Sequence, residues 1–235
     1  MNDIRLLVRQ IIEEGLVEER NEALPLAKKY ANKVIKMISD ENHRYVREED
    51  GFVVDDVEPR TVICQSVSSM AFYKISTKTV YIPLLSDTQF TSKYYEDTIS
   101  DVIANDVNSG YTMSKKELYF SLVHEFTHNY DDIISDGKFS SAVHSEIMRS
   151  AGNKVPWGTS KYADAGYLKA YYNLPFEINA FVTQFLSKIP SPIKKLGFDG
   201  VLSAAKKERW FRNLDPDNRK RVIGRIYAEY GEHYE

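Results

Sequence analysis

The sequence predicts an α+β fold, mostly helical, with a small and mainly antiparallel sheet placed before one well-signalled helix and with helical extensions at both ends. Three observations predict it. Apolar residues recur at helical spacing toward both termini. Between residues 61 and 84 the texture changes to short β-rich runs. The word His124-Glu125-Phe126-Thr127-His128 then falls inside a segment with a clear helix start.

The elements follow in order. Residues 3–19 read as an amphipathic helix with Ile4, Leu7, Val8, Ile11 and Ile12 as its stripe. A joint follows at residues 21–25, because Leu24 precedes a proline and avoids the α region. A second helix runs to about Ser39, with Leu26, Tyr30, Val34, Met37 and Ile38 inward. The two form an αα-hairpin packed on the domain, or an arm that docks a partner. Residues 41–59 are charged and contain Glu48-Glu49-Asp50-Gly51, which reads as a surface loop or linker. Residues 61–67, 71–75 and 79–84 read as strands, with Ser76-Thr77-Lys78 turning between the last two. Pro83 cannot donate to a ladder, so its strand is expected at an edge or at its own end there. Such an edge beside the motif helix could pair with an extended peptide. Residues 94–107 form a further helix, closed by Asn108-Ser109-Gly110.

The motif helix starts at a capping box, with Ser114 as N-cap and Glu117 three residues on. Met113 and Leu118 can close a hydrophobic staple around that cap. Leu118, Leu122, Val123 and Phe126 supply its apolar face. On such a helix His124 and His128 lie one above the other, close enough to hold one ion. Glu125 points about 100° around from His124. It is badly placed as a ligand and well placed to take a proton from water activated by the ion.

A catalytic zinc takes three protein ligands and one open position. Glycine and histidine at the third and sixth places after His128 would mark a metzincin, but Asp131 and Ile134 stand there. The remaining candidates are His144, Glu146, Asp164 and Glu177. Glu177 is favoured, because it opens a second strong helix after Pro175. Phe181, Val182, Phe185, Leu186 and Ile189 form that helix's stripe, and Ala180 is small enough for a close helix approach. His144 and Glu146 fall in residues 138–172, a tyrosine-rich stretch of poor periodicity.

Taken together, His124-Glu125-Phe126-Thr127-His128 and Pro175-Phe176-Glu177-Ile178-Asn179-Ala180-Phe181 resemble the gluzincin clan of zinc metallopeptidases, in particular its small bacterial and phage members. The resemblance covers roughly residues 60–190. It implies a zincin-like fold with a substrate-binding edge strand, Zn²⁺ held by His124, His128 and Glu177, Glu125 as general base, and a tyrosine or histidine facing the oxyanion. His144, Tyr162, Tyr167, Tyr171 and Tyr172 are available for that last task. Two departures stand out. The span from His128 to Glu177 is longer than in compact members, and Phe181 occupies the place of the aspartate in the E-x-x-x-D form of the second motif. The acceptor behind a ligand histidine would then be Asp131, Asp132 or a backbone carbonyl. On this reading residues 1–58 are an N-terminal helical lobe, 59–192 the metallopeptidase core and 193–235 a C-terminal helical extension.

That extension is basic, from Lys194 to Arg225, with Trp210 and Phe211 among the charges and Asp215-Pro216 expected to start its last helix. A solvated face is the simple reading, and nucleic acid an unfavoured partner. The tail from Glu229 to Glu235 carries potential ligands that could fold back on the site. A formal net charge of −3 points to no polyanion, and the single cysteine, Cys64, rules out an intramolecular disulfide. With no h-region at the start and no apolar run of about 20 residues, the expected location is the cytoplasm, with virion association as a variant. The expected partner is a protein or peptide substrate. The competing functions are a zinc-bearing structural or assembly protein without turnover, and a nucleic-acid-associated protein.

Overall fold

The computed structural model describes residues 23–65, 71–86, 99–110, 113–134, 169 and 171–231. The helix expected at residues 3–19, the stretch 138–168 and the last four residues lie outside them. The chain divides into two compact units, Leu24–Ile134 and one to which the later described residues belong. Its elements confirm the α+β class: mostly helices and, among the described residues, one five-stranded sheet. No helix among the described residues is long and apolar enough to cross a membrane.

In the first unit, α1 (Ala23–Ile38) precedes β1 (Val46–Glu48), β2 (Gly51–Val54), β3 (Thr61–Gln65), β4 (Phe72–Lys74) and β5 (Thr79–Leu85). Two helices follow, α2 (Ile99–Ser109) and α3 (Lys115–Ile134). The strand order is β1-β2-β3-β5-β4, antiparallel throughout except between β3 and β5. Alternation sorts the strands' side chains. Phe52, Val54, Ile63, Val80 and Ile82 meet Ala31, Val34 and Ile38 of α1, Ile103 of α2, and Leu118, Leu122 and Phe126 of α3 in one buried core. Val62, Cys64 and Tyr81 face the other way, with Val53 and Phe72 packed beside them.

Three expectations are corrected here. The joint expected at residues 21–25 gives way to helix, because Leu24 and Pro25 lie in the first turn of α1, where a proline removes no helical hydrogen bond. The charged stretch 41–59 is not simply a surface loop, because β1 and β2 form a tight hairpin within it, with Glu48 opposite Gly51. Gly51 has φ +147°, and a Cβ there would sit 2.3 Å from the Ile63 carbonyl oxygen, so only glycine closes this turn. The strand carrying Pro83 is not an edge: β5 lies between β3 and β4. Proline is tolerated because β4 pairs only as far as Tyr81, and the β3 register shifts between Cys64 and Gln65, just where Pro83 stands. The turn expected at residues 76–78 is present as a 3₁₀ turn, Ile75–Thr77, closed by Lys78 at φ +50°.

Arg60 ties the β1–β2 turn to the sheet. Its guanidinium donates to both Asp50 oxygens at 3.0 and 2.9 Å, and to Glu48 Oε2 at 2.6 Å. The Tyr81 hydroxyl of β5 donates to Asp50 Oδ2 at 2.7 Å. Arg60, with help from Tyr81, holds the Asp50 carboxyl down at about 2 against the opposing effect of burial.

The second unit holds α4 (Pro175–Lys188), α5 (Ser191–Lys194), α6 (Gly197–Ala205), α7 (Arg209–Arg212) and α8 (Pro216–Tyr230). The α4 stripe is as expected: Val182, Phe185, Leu186 and Ile189 are buried. Trp210 stacks on Phe181 at 6.2 Å and meets Phe185 edge-on at 5.9 Å. The two aromatic residues among the basic ones, Trp210 and Phe211, are therefore core rather than a platform for bases. Asp215 does not cap α8 with its side chain. Its carboxylate meets Lys169 at 3.1 Å, while its N–H donates to Asn173 Oδ1 at 2.7 Å. Asn173 also receives Asn218 Nδ2 at 2.9 Å and donates to the Asn213 carbonyl at 2.9 Å, so one amide sets both the approach to α4 and the start of α8.

Because the folded carboxyl of Asp50 titrates below its ordinary value, its stabilising contribution is present above about pH 4 and disappears as the pH falls through about 2. Arg60→Ala should therefore cost under ~1 kcal/mol at neutral pH, the pair being partly exposed. Denaturant unfolding at pH 7 and near pH 2 should show that difference shrinking in acid.

Candidate metal centre

Helix α3 begins as its sequence dictates. The Glu117 N–H donates to Ser114 Oγ at 3.2 Å, and the Ser114 N–H returns the bond to Glu117 Oε2 at 3.1 Å. From that fixed start, helical periodicity sorts the following residues. Leu118, Leu122, Val123 and Phe126 enter the core. His124 and His128 stack one turn apart, rings edge to face with centroids 4.7 Å apart. Glu125, Asn129 and Asp132, at i, i+4 and i+7, form a flanking stripe that is 8%, 5% and 3% exposed.

That stripe meets the sheet at one residue. The backbone N–H of Tyr73, on edge strand β4, donates to Glu125 Oε2 at 2.7 Å. The Tyr73 hydroxyl donates to Asp132 Oδ2 at 3.1 Å and accepts from Asn129 Nδ2 at 3.3 Å. Burial, with the nearby Asp132 carboxylate adding to it, pushes the Tyr73 phenol up to about 12, so it stays a proton donor through the neutral range. Lys78 Nζ stands 4.0 Å from Asp132. Of the two residues suggested as acceptors behind a ligand, Asp131 is buried and Asp132 is engaged by Tyr73.

Glu177 lies in the first turn of α4, where the helix dipole favours a carboxylate, and it is 6% exposed. His124, His128 and Glu177 each offer one ligand atom, and these atoms all lie within 4.8 Å of one another. Tetrahedral zinc with bonds of about 2.1 Å spaces its donors about 3.4 Å apart. Two imidazoles with one carboxylate are a donor set zinc accepts, so this group could hold the ion. His144, Glu146, Asp164, Tyr162 and Tyr167 lie outside the described residues. Tyr171 and Tyr172 pack against Phe181 in an aromatic cluster. Burial pushes the Cys64 thiol up to about 11, which favours the thiol over the thiolate at neutral pH.

The pattern of the chain singled out His124, Glu125, His128 and Glu177, but not Tyr73 or Asn129. A polar stripe at i, i+4 and i+7 on an otherwise apolar helix was the available signal for Asn129. Nothing in the sequence marks a backbone amide such as that of Tyr73.

Comparisons with protein-family models, with curated proteins and with solved structures found no match.

Substituting Glu177 by alanine should reduce bound zinc to a small fraction of the wild-type stoichiometry at a fixed chelator concentration, by elemental analysis. Zinc content equal to wild type would remove Glu177 from the ligand set.

Proposed function

We propose that the chain is a zinc-dependent metallopeptidase with a zincin-like core, hydrolysing peptide bonds in a protein or peptide substrate. The observation that supports this most is the convergence of one ligand atom each from His124, His128 and Glu177 within 4.8 Å, with Glu125 on the same helix as the two histidines.

His124, His128 and Glu177 would hold the zinc. When bound, zinc supplies Lewis-acid chemistry, acidifying a water to a pKa of about 7 and polarising the substrate carbonyl. The chain's own residues do the proton work. As the water oxygen bonds to the carbonyl carbon, Glu125 takes the water proton. As the C–N bond breaks, Glu125 delivers that proton to the departing amine, so one carboxylate serves as base and then as acid. The burial of Glu125, at 8% exposure, keeps bulk water away from that transfer. The Tyr73 N–H bond at 2.7 Å holds one oxygen of the carboxylate in place.

Glu125→Gln removes the proton acceptor and keeps the shape. It should retain full zinc stoichiometry and lose peptide hydrolysis by about 10²–10⁴-fold. The assay is cleavage of a proteome-derived peptide library by the zinc-loaded protein, read by mass spectrometry. Hydrolysis at the wild-type rate would show that Glu125 is not the base.

A further inference from the structure

We infer that Tyr73 is a positioning residue for Glu125, acting through its backbone amide. The inference rests on the peptidase reading above and adds a residue that the motif does not contain.

The geometry carries it. β4 is the edge of the sheet and pairs with β5 in the register Phe72↔Tyr81, Tyr73↔Val80, Lys74↔Thr79. In an antiparallel ladder alternate residues turn their amides toward and away from the partner strand. The Tyr73 amide is turned away from β5 and reaches Glu125 Oε2 at 2.7 Å, the length of a charge-assisted bond. Tyr73 cannot drift, because its hydroxyl is fixed to the same helix by Asp132 at 3.1 Å and Asn129 at 3.3 Å. One residue thus grips α3 at positions 125, 129 and 132, through backbone at one end and phenol at the other.

The chemical consequence concerns aim. A glutamate side chain has three torsions to fix before its carboxylate can meet a water in a productive pose. Anchoring Oε2 to a strand in a sheet removes most of that freedom, so the carboxylate is held in one pose for the proton transfer. A second consequence follows for the substrate. The one outward amide of β4 is already engaged, so an extended peptide cannot add to this edge through Tyr73 while the base is held.

The test replaces the Tyr73 amide with an ester, by incorporating the α-hydroxy analogue of tyrosine at that position in the full-length chain. The side chain is kept, the N–H is lost, and the Phe72 carbonyl, which faces Tyr81 in the ladder, becomes a weaker acceptor. With zinc loaded, kcat should fall about 10–100-fold, the loss expected for one hydrogen bond to a charged group. KM and zinc content should stay within twofold. A merely structural role would move KM or zinc content as well, and unchanged kcat would overturn the assignment. Should the ester chain not fold, amide exchange decides. In zinc-free Glu125→Ala the Tyr73 amide should exchange at least tenfold faster than in wild type, with the Tyr81 amide unchanged. Equal exchange at Tyr73 would overturn the bond. Wild-type protein that cleaves no peptide overturns the peptidase reading and this role together, whereas active wild type with an equally active ester overturns the role of Tyr73 alone.

Discussion

A carboxylate taken out of water has to be met by donors, and in this chain the donor that meets Glu125 sets how helix and sheet fit. α3 is held on the sheet by its apolar face, where Leu118, Leu122, Val123 and Phe126 enter the core. That burial is non-directional and would tolerate some rotation about the helix axis. The hydrogen bond from Tyr73 to Glu125 is directional and does not. It fixes the rotation of α3, and with it the direction in which His124 and His128 project.

The strand that supplies this donor is itself placed by a chain of contacts. Arg60 clamps Asp50 at the hairpin turn, Asp50 receives the Tyr81 hydroxyl, and Tyr81 stacks on Phe72 with ring centroids 5.1 Å apart. Phe72 is the neighbour of Tyr73. Charge, hydrogen bond, ring stacking and backbone thus lead from an exposed turn to a buried carboxylate. In the second unit a different device does comparable work for Glu177. Arg225 of α8 donates to Thr183 at 2.7 Å and also binds the Asn179 side chain, while Asn173 fixes the approach to α4.

What could be read from the sequence was local. The capping box, the spacing of His124 and His128, Pro175 at the head of α4 and most of the α4 stripe depend on neighbours a few residues away, and the structure has them. On α1, Val34 and Ile38 are buried as expected, but Leu24, Ala27 and Ala31 rather than Leu26 complete the buried face. The strands at residues 61–65 and 79–85 were legible for the same reason. The failures are non-local or arise from one special residue. The β1–β2 hairpin was hidden because its charged turn looks like a loop, and the fit of Gly51 beneath the Ile63 carbonyl appears only in three dimensions. Pro83 suggested an edge, but strand order is decided by pairings that no single strand encodes. Asp215-Pro216 does open the last helix as expected, but the Asp215 side chain makes no capping bond, and its N–H is held by Asn173, far back in the chain.

The two ends of the sheet show why the Glu125 bond can serve two purposes. A sheet edge offers unpaired amides to any passing strand, and proteins blunt this with short strands and charge. β1 does so with three exposed residues, Val46, Arg47 and Glu48. β4 is equally short, carries Lys74 at its end, and its outward amide is closed by Glu125. The carboxylate that the proposed mechanism needs is therefore also the guard of the edge, and removing it outright would open the strand while removing the proposed base. A glutamine keeps an acceptor oxygen for Tyr73 while giving up the charge and the ability to accept a proton. It disturbs the edge less than alanine would, so a fall in turnover with glutamine reads proton transfer more directly than the same fall with alanine.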